Sequence, residues 1–203
     1  MKIQKITEFI FVCIATLVAF FPFNFIVGSK FAWFSCATMA IPAVGFHYSL
    51  VYVIFYIFTK SLCSSKLFCL LFLKKMPLIC STLALRKRNA ILCVVLPIVA
   101  MILFCAHPIG YEACYYSWYW FIPMIIYGFV PDSFISRAIS ASFVAHAVGS
   151  VIWLYKGTIP ASVWIELLPI VAIERVIIAA GMVGFVYIFQ AISVYISQKV
   201  YAS

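Results

Sequence analysis

Residues 164–195 read WIELLPIVAIERVIIAAGMVGFVYIFQAISVY, and this run decides the fold. Only Glu166, Glu174 and Arg175 are charged in it. A helix that crosses a bilayer needs about 20 consecutive, mainly apolar residues, so the run is long enough with length to spare. Breaks at charge, proline and glycine mark five more apolar segments, at 8–28, 32–58, 90–106, 115–131 and 136–155. Of the chain's 203 residues, 67% are hydrophobic and 9% are charged, where a soluble domain carries roughly 25% charged residues. There is too little polar surface to face water, so lipid must be the solvent for most of the chain. The expectation is an all-α integral membrane protein, one transmembrane domain over 1–203 with six transmembrane helices. The second and sixth segments exceed a perpendicular span, and the extra length means tilt or a part that does not span. Residues 8–28 follow Lys2 and Lys5 like a signal peptide, but Pro22, Asn24 and the lack of a small-residue cleavage site favour a first span.

Charge placement gives the layout a direction. With the N-terminus inside, the inner segments hold Lys2, Lys5, Lys60, Lys66, Lys74, Lys75, Arg86, Lys87, Arg88, Arg137 and Lys199, and the outer ones only Lys30 and Lys156. Eleven against two follows the positive-inside rule and places both termini in the cytoplasm, as in a multi-pass cell-membrane protein, expected of a bacterial inner membrane. The net charge of +9 is thereby explained without nucleic acid, since no solvated basic face forms. Residues 59–89 become a basic cytoplasmic connection. Within it the apolar stretch 67–85, divided by Lys74, Lys75 and Pro77, reads either as an interfacial helix on anionic lipid or as a hydrated loop.

Ionisable groups inside a membrane are costly and tend to be functional. His146 lies mid-segment on a polar stripe with Ser142 and Ser150, while Glu166 opens the sixth segment with Glu174 and Arg175 about two turns deeper. Adjacent helical residues point about 100° apart, so Glu174 and Arg175 are not expected to pair with each other; His146 is the expected partner for one of them. A structural charge pair and a ligand site explain these groups equally well. His47, amid aromatics, reads as a hydrogen-bonded interior residue. Trp33, Tyr111, Tyr115, Tyr116, Trp118, Trp120, Trp153, Tyr155 and Trp164 all fall toward the outer side, against Tyr127, Tyr195 and Tyr201 on the inner. An aromatic belt is the plain account, but its one-sidedness suggests an outward, aromatic-lined pocket with Glu112, Glu166 and His146 as its polar groups.

Small residues four apart let helices approach closely in lipid. Ala15 with Ala19, then Ala141, Ala145 and Gly149, and Ala180 with Gly184 form such stripes. The eight cysteines read as small buried hydrophobes, although Cys105 and Cys114 flank one loop and could join if it is extracytoplasmic. No GxSG, HExxH or Walker loop is present, so no catalytic residues, metal ligands or cofactors are expected, and ATP chemistry cannot be intrinsic.

Six short spans, Ala15-x-x-x-Ala19, and a loop with Pro22, Gly28, Trp33, Pro42 and Gly45 leading into an aromatic second span resemble the substrate-binding (S) component of energy-coupling factor transporters. The resemblance implies that Ala15 and Ala19 dock against a transmembrane coupling protein driven by cytoplasmic ATPases. It also implies an outward pocket for a vitamin-like solute, with Trp33, Trp118, Trp120, His146, Trp153, Trp164 and Glu166 as pocket positions; Glu174 joins them as the deeper acidic group. The expected function is small-solute binding for energy-coupled uptake. An intramembrane enzyme using His146, Glu166 and Glu174, or a non-transporting membrane scaffold, are the alternatives.

Overall fold

The computed structural model describes residues 10–11, 13–14, 17, 22–23, 34–47, 50–62, 68–157 and 159–201. These residues are all-α, apart from a short antiparallel ladder that pairs Pro22 with Ser35 and Phe23 with Phe34. Helix α1 spans Ala37–His47, α2 Leu50–Leu62 and α3 Phe68–Arg86. A π-helical turn, Ile91–Val95, leads into α4 (Leu96–Ala106). Then come α5 (Pro108–Glu112), a 3-10 helix over Cys114–Trp120, α6 (Phe121–Phe129), α7 (Phe134–Lys156), α8 (Ala161–Glu166) and α9 (Leu168–Tyr201). Two helices, Phe134–Lys156 and Leu168–Lys199, are long and apolar enough to cross a membrane.

Local chemistry sets several of these boundaries. Pro97 has no N–H to give and its ring crowds the carbonyl four residues back; the chain widens to a π turn just before it, with Leu96 N–H bonding Ile91 O. Helix α7 starts at a capping box, in which Ser133 Oγ accepts from Ser136 N at 3.1 Å and Ser136 Oγ from Ser133 N at 2.9 Å. Helix α6 ends on Arg88, whose guanidinium donates to Ile126 O at 2.8 Å, Val130 O at 2.7 Å and also Tyr127 O. A cation there also offsets the negative end of the helix dipole.

Packing fixes the helix directions. Arg137 of α7 donates to Arg86 O at the end of α3 (3.1 Å), and a Cβ on Gly149 would sit 3.6 Å from Pro77, so α3 and α7 run antiparallel. Ser142 bonds Arg175 O (2.8 Å) and Phe134 meets the Tyr187 ring, so α7 and α9 are antiparallel as well. Met39 packs on Gly181 while the His47 Nε2–H donates to Val186 O (3.0 Å), which sets α1 parallel to α9. His47 is thus hydrogen-bonded in the interior, as expected. Helix α2 turns back on α1, with Val53 and Thr82 of α3 both against Gly45.

The stretch assigned from sequence to a basic cytoplasmic connection, 59–89, is the main difference. Most of it is helix α3, which buries Leu78, Ser81, Thr82, Ala84 and Leu85 in the bundle. Cys80, Ala84 and Leu85 share one core cluster with Ala138 and Ala141 of α7 and Ile178 of α9. Pro77 is tolerated inside the helix opposite Gly149, where there is room for its ring. The second expected span, 32–58, is divided between α1 and α2, and the sixth between α8 and α9. The first, 8–28, falls largely outside the described residues.

Close approach at Gly45 makes it a sensitive position. A Cβ there would lie 2.3 Å from Thr82 Cγ2 and 2.8 Å from Val53 Cγ2. Gly45→Ala is expected to cost about 1–3 kcal/mol through overpacking. Gly128→Ala, where a Cβ meets nothing within 4 Å, should not destabilise. Thermal unfolding of the two variants in detergent checks the contrast.

Candidate functional site

The polar residues of the interior collect around His146, on the buried face of α7. The 3-10 helix places Tyr116 and Trp120 on either side of its ring. Trp120 Nε1–H donates to His146 Nδ1 at 3.1 Å, and Tyr116 Oη lies 2.7 Å from Nε2. An indole nitrogen can only donate, so Nδ1 is an acceptor and the neutral ring carries its proton on Nε2, which donates to Tyr116. Ser150, one turn along α7, is buried on the same helix face. Ser142, one turn the other way, holds Arg175 O. The stripe read from sequence, Ser142–His146–Ser150, is therefore buried at every member.

An aromatic box surrounds this network. Phe104 of α4 lies 5.7 Å from the Tyr116 ring in a stack and meets Trp120 and Trp164 edge-on, each at 5.3 Å. Trp164 of α8 packs edge-on against Tyr116 at 4.9 Å. Such geometries are the favoured ones for ring quadrupoles. The turn between α4 and the 3-10 helix requires Gly110, since a Cβ there would lie 1.9 Å from Phe104 O. One polar atom in the box stands apart. Trp164 is 3% exposed, and its indole N–H has no acceptor among the described residues.

Glu174 and Arg175 lie on α9, 3% and 4% exposed. Contrary to the sequence expectation they pair with each other, Arg175 Nη2 to Glu174 Oε1. Both side chains are long enough to bend together, and in a dry interior an adjacent opposite charge is the cheapest compensation. His146 is not the partner of either carboxylate or guanidinium in a hydrogen bond, its two nitrogens being taken up by Trp120 and Tyr116.

Of the residues singled out from sequence, the structure brings together Trp120, His146 and Trp164, with Glu174 on the neighbouring helix. It does not bring in Trp118, which is 61% exposed and packed edge-on against Tyr115, or Trp153, which is 56% exposed, or the exposed Glu166. Trp33, Ala15 and Ala19 lie outside the described residues. Cys105 and Cys114 are both free thiols. Among the described residues no three of His, Cys, Asp and Glu converge as metal ligands. Phe104 was missed; Tyr116 was one of the outer-side aromatics, set apart from the rest only by its i, i+4 spacing to Trp120.

Scans of the chain against protein-family models, curated proteins and solved structures return no match.

Trp120→Phe keeps the ring volume roughly but removes the only donor to His146 Nδ1. The expected loss is about 1–3 kcal/mol, the cost of a buried acceptor left unpaired. The His146 ring nitrogens in a nitrogen-15 spectrum should then move away from the single-tautomer pattern of the parent protein; unchanged shifts would contradict the assignment.

Proposed function

We propose that this chain is a multi-pass membrane protein that binds a small solute as the capture subunit of an energy-coupled uptake system. The observation that carries this reading is the Trp164 indole N–H. It is buried in an aromatic box beside the Tyr116–His146 network and lacks an acceptor among the described residues. Buried donors are nearly always paired, so a ligand with a hydrogen-bond acceptor is the group that completes the box. A solute with a flat ring and a ring nitrogen or carbonyl would supply that acceptor once the box opens. Coupling would come from a transmembrane partner with cytoplasmic ATPases, docking through Ala15 and Ala19 as the S-component resemblance implies.

Catalysis is the weaker reading. A general base needs a free lone pair in reach of substrate, and the Nδ1 lone pair of His146 is already occupied by Trp120. The scaffold reading draws on the pairing of Glu174 with Arg175, but it leaves Trp164 unexplained.

Helices α1 and α2, of 11 and 13 residues, are each too short to cross a bilayer and form one hairpin that returns to the side it entered from. Helix α3, antiparallel to α7 between the same levels, then makes the crossing expected of 32–58. Six crossings remain, with both termini on one side. Four lysines, Lys60, Lys66, Lys74 and Lys75, then leave the inner side, and the charge count falls from eleven against two to seven against six. Orientation with the termini in the cytoplasm then rests on Arg86, Lys87, Arg88 and Arg137 beside the helix ends. Exposed apolar side chains of α9, including Ile173, Val176 and Ile188, would face lipid.

An alkaline phosphatase fused into the connection between α2 and α3 is expected to be active, reporting an extracytoplasmic position. An inactive fusion there, alongside an active one between α7 and α8, places that connection in the cytoplasm and overturns the crossing by α3.

Titration of the purified protein with a panel of vitamins and amines, without ATP, should find one solute that quenches tryptophan fluorescence. Trp164→Phe should weaken its binding by about tenfold, the value of one buried hydrogen bond, while leaving the unfolding temperature within a few degrees. Replacing Ala15 and Ala19 with leucine should abolish uptake and preserve binding. A panel without quenching, or unaltered affinity in Trp164→Phe, sinks the proposal.

A further inference from the structure

Two charges lie buried beneath the aromatic box. Glu174 and Arg175 are 3% and 4% exposed, and with Val171 and Ile178 they form the buried face of α9, while Ile173 and Val176 face outward. Val171 packs in one cluster with Phe104, Tyr116, Trp120 and Trp164. Ile178 packs in the next, with Ala138 and Ala141 of α7. Residues three and four apart on a helix share a face, so Glu174, between these two, sits on the floor of the box. Helix α7 fixes the same level, since Ser142, one turn from His146, holds Arg175 O. The nearer end of α9 is at Leu168, whose carbonyl accepts from Tyr119 Oη at 2.7 Å. Glu174 is about 9 Å along the helix from it.

Of the five carboxylates in the sequence, Glu112, Asp132 and Glu166 are exposed, and Glu8 lies outside the described residues. Glu174 is the buried one among those described. Its bond with Arg175 joins neighbours on one helix, so the pair itself ties no two helices together. A buried ion pair gives little stability that apolar residues would not, whereas ionisable groups at membrane depth mark proton and ion pathways. A guanidinium does not give up its proton in a protein, so the carboxylate is the member that can change. The neighbouring elements leave that role to Glu174. From α7 comes His146, whose nitrogens are taken up by Trp120 and Tyr116. The 3-10 helix supplies Tyr116 and Tyr119, the latter committed to Leu168 O. Helix α8 supplies the exposed Glu166, and α1 supplies His47, held at Val186 O, about three turns further along α9.

We infer that Glu174 is a proton-binding site. The step is a single protonation: a carboxylate oxygen takes a proton from hydronium, water leaves, and no other bond changes. The pair then goes from neutral to singly positive, the charge being held on Arg175 beside the rings that pack on Val171. Trp120 and Trp164 therefore report the proton whether or not a solute enters the box, and the site stands apart from the solute reading above.

The test uses the full chain in detergent, titrated across the range in which carboxyl and imidazole groups exchange protons. Wild type is expected to show a step in tryptophan emission. Infrared difference spectra should show, in the same step, the stretch of a protonated carboxyl shielded from water. Glu174→Gln should lose both signals, and Glu112→Gln, an exposed change, should keep both. Glu174→Asp retains a titratable group, so it should move the step rather than remove it. Absence of the shielded-carboxyl band from wild type, a measurement that needs no variant, overturns the site. So does a Glu174→Gln protein that titrates like the parent, or loss of the band in Glu112→Gln. A protein that no solute quenches but that shows the step and the band loses the capture reading alone and keeps the proton site.

Discussion

A polar group that leaves water in an apolar bundle must find its partner within the protein, and the described structure is arranged around that constraint. The bond from Trp120 to His146 is its clearest expression. One N–H decides which imidazole nitrogen carries the proton, and that proton decides how Tyr116 is bonded. The same constraint acts at the helix ends. Arg88 collects the last carbonyls of α6 and Arg137 takes Arg86 O, so two basic side chains do the work that water would do for a soluble helix.

Small residues let this happen at close range. Ala138 and Ala141 of α7 pack with Cys80, Ala84 and Leu85 of α3, while Gly149 faces Pro77 and Gly181 faces Met39. The stripe Ala141–Ala145–Gly149 was legible in the sequence as a packing face, because spacing of four on a helix is a local property. Its partner was not. Helix α3 carries Lys74, Lys75 and Pro77, three residues that argue against a buried helix one at a time, and only the facing surface of α7 shows how Pro77 is accommodated. A hydropathy reading weighs residues along the chain; it has no means to weigh a gap on another helix.

The candidate site divides in the same way. His146 was visible as an ionisable residue on a polar stripe, and the whole stripe is buried. Trp120 and Trp164 could not be told from Trp118 and Trp153 by sequence, since all four sit in aromatic-rich segments near helix ends; only tertiary contacts sort the buried pair from the exposed pair. Tyr116 was hidden in the run of aromatics from Tyr115 to Trp120. The pairing of Glu174 with Arg175 defied an argument from helical angles because that argument treats side chains as rigid spokes. With several rotatable bonds each, and no water to compete, the two heads meet in spite of their diverging Cα–Cβ directions.

The enclosure of the aromatic box then bears on how a solute could reach it. Its walls come from α4, the 3-10 helix, α7 and α8, and these differ greatly in anchorage. Helices α4 and α7 are long and packed on several neighbours, whereas α8 has six residues, begins at Pro160 and has no side-chain cap. Its hold on the box is mainly Trp164, through rings at 4.9 and 5.3 Å from Tyr116 and Phe104. Local opening is cheapest where few buried contacts are broken, so on the binding reading α8 is the element that yields. Trp164 would leave with it, carrying the unpaired donor outward to meet the solute and returning with the bond made. On this view one residue serves as both latch and contact, because the donor left unpaired in the closed box is the one a solute's acceptor would meet.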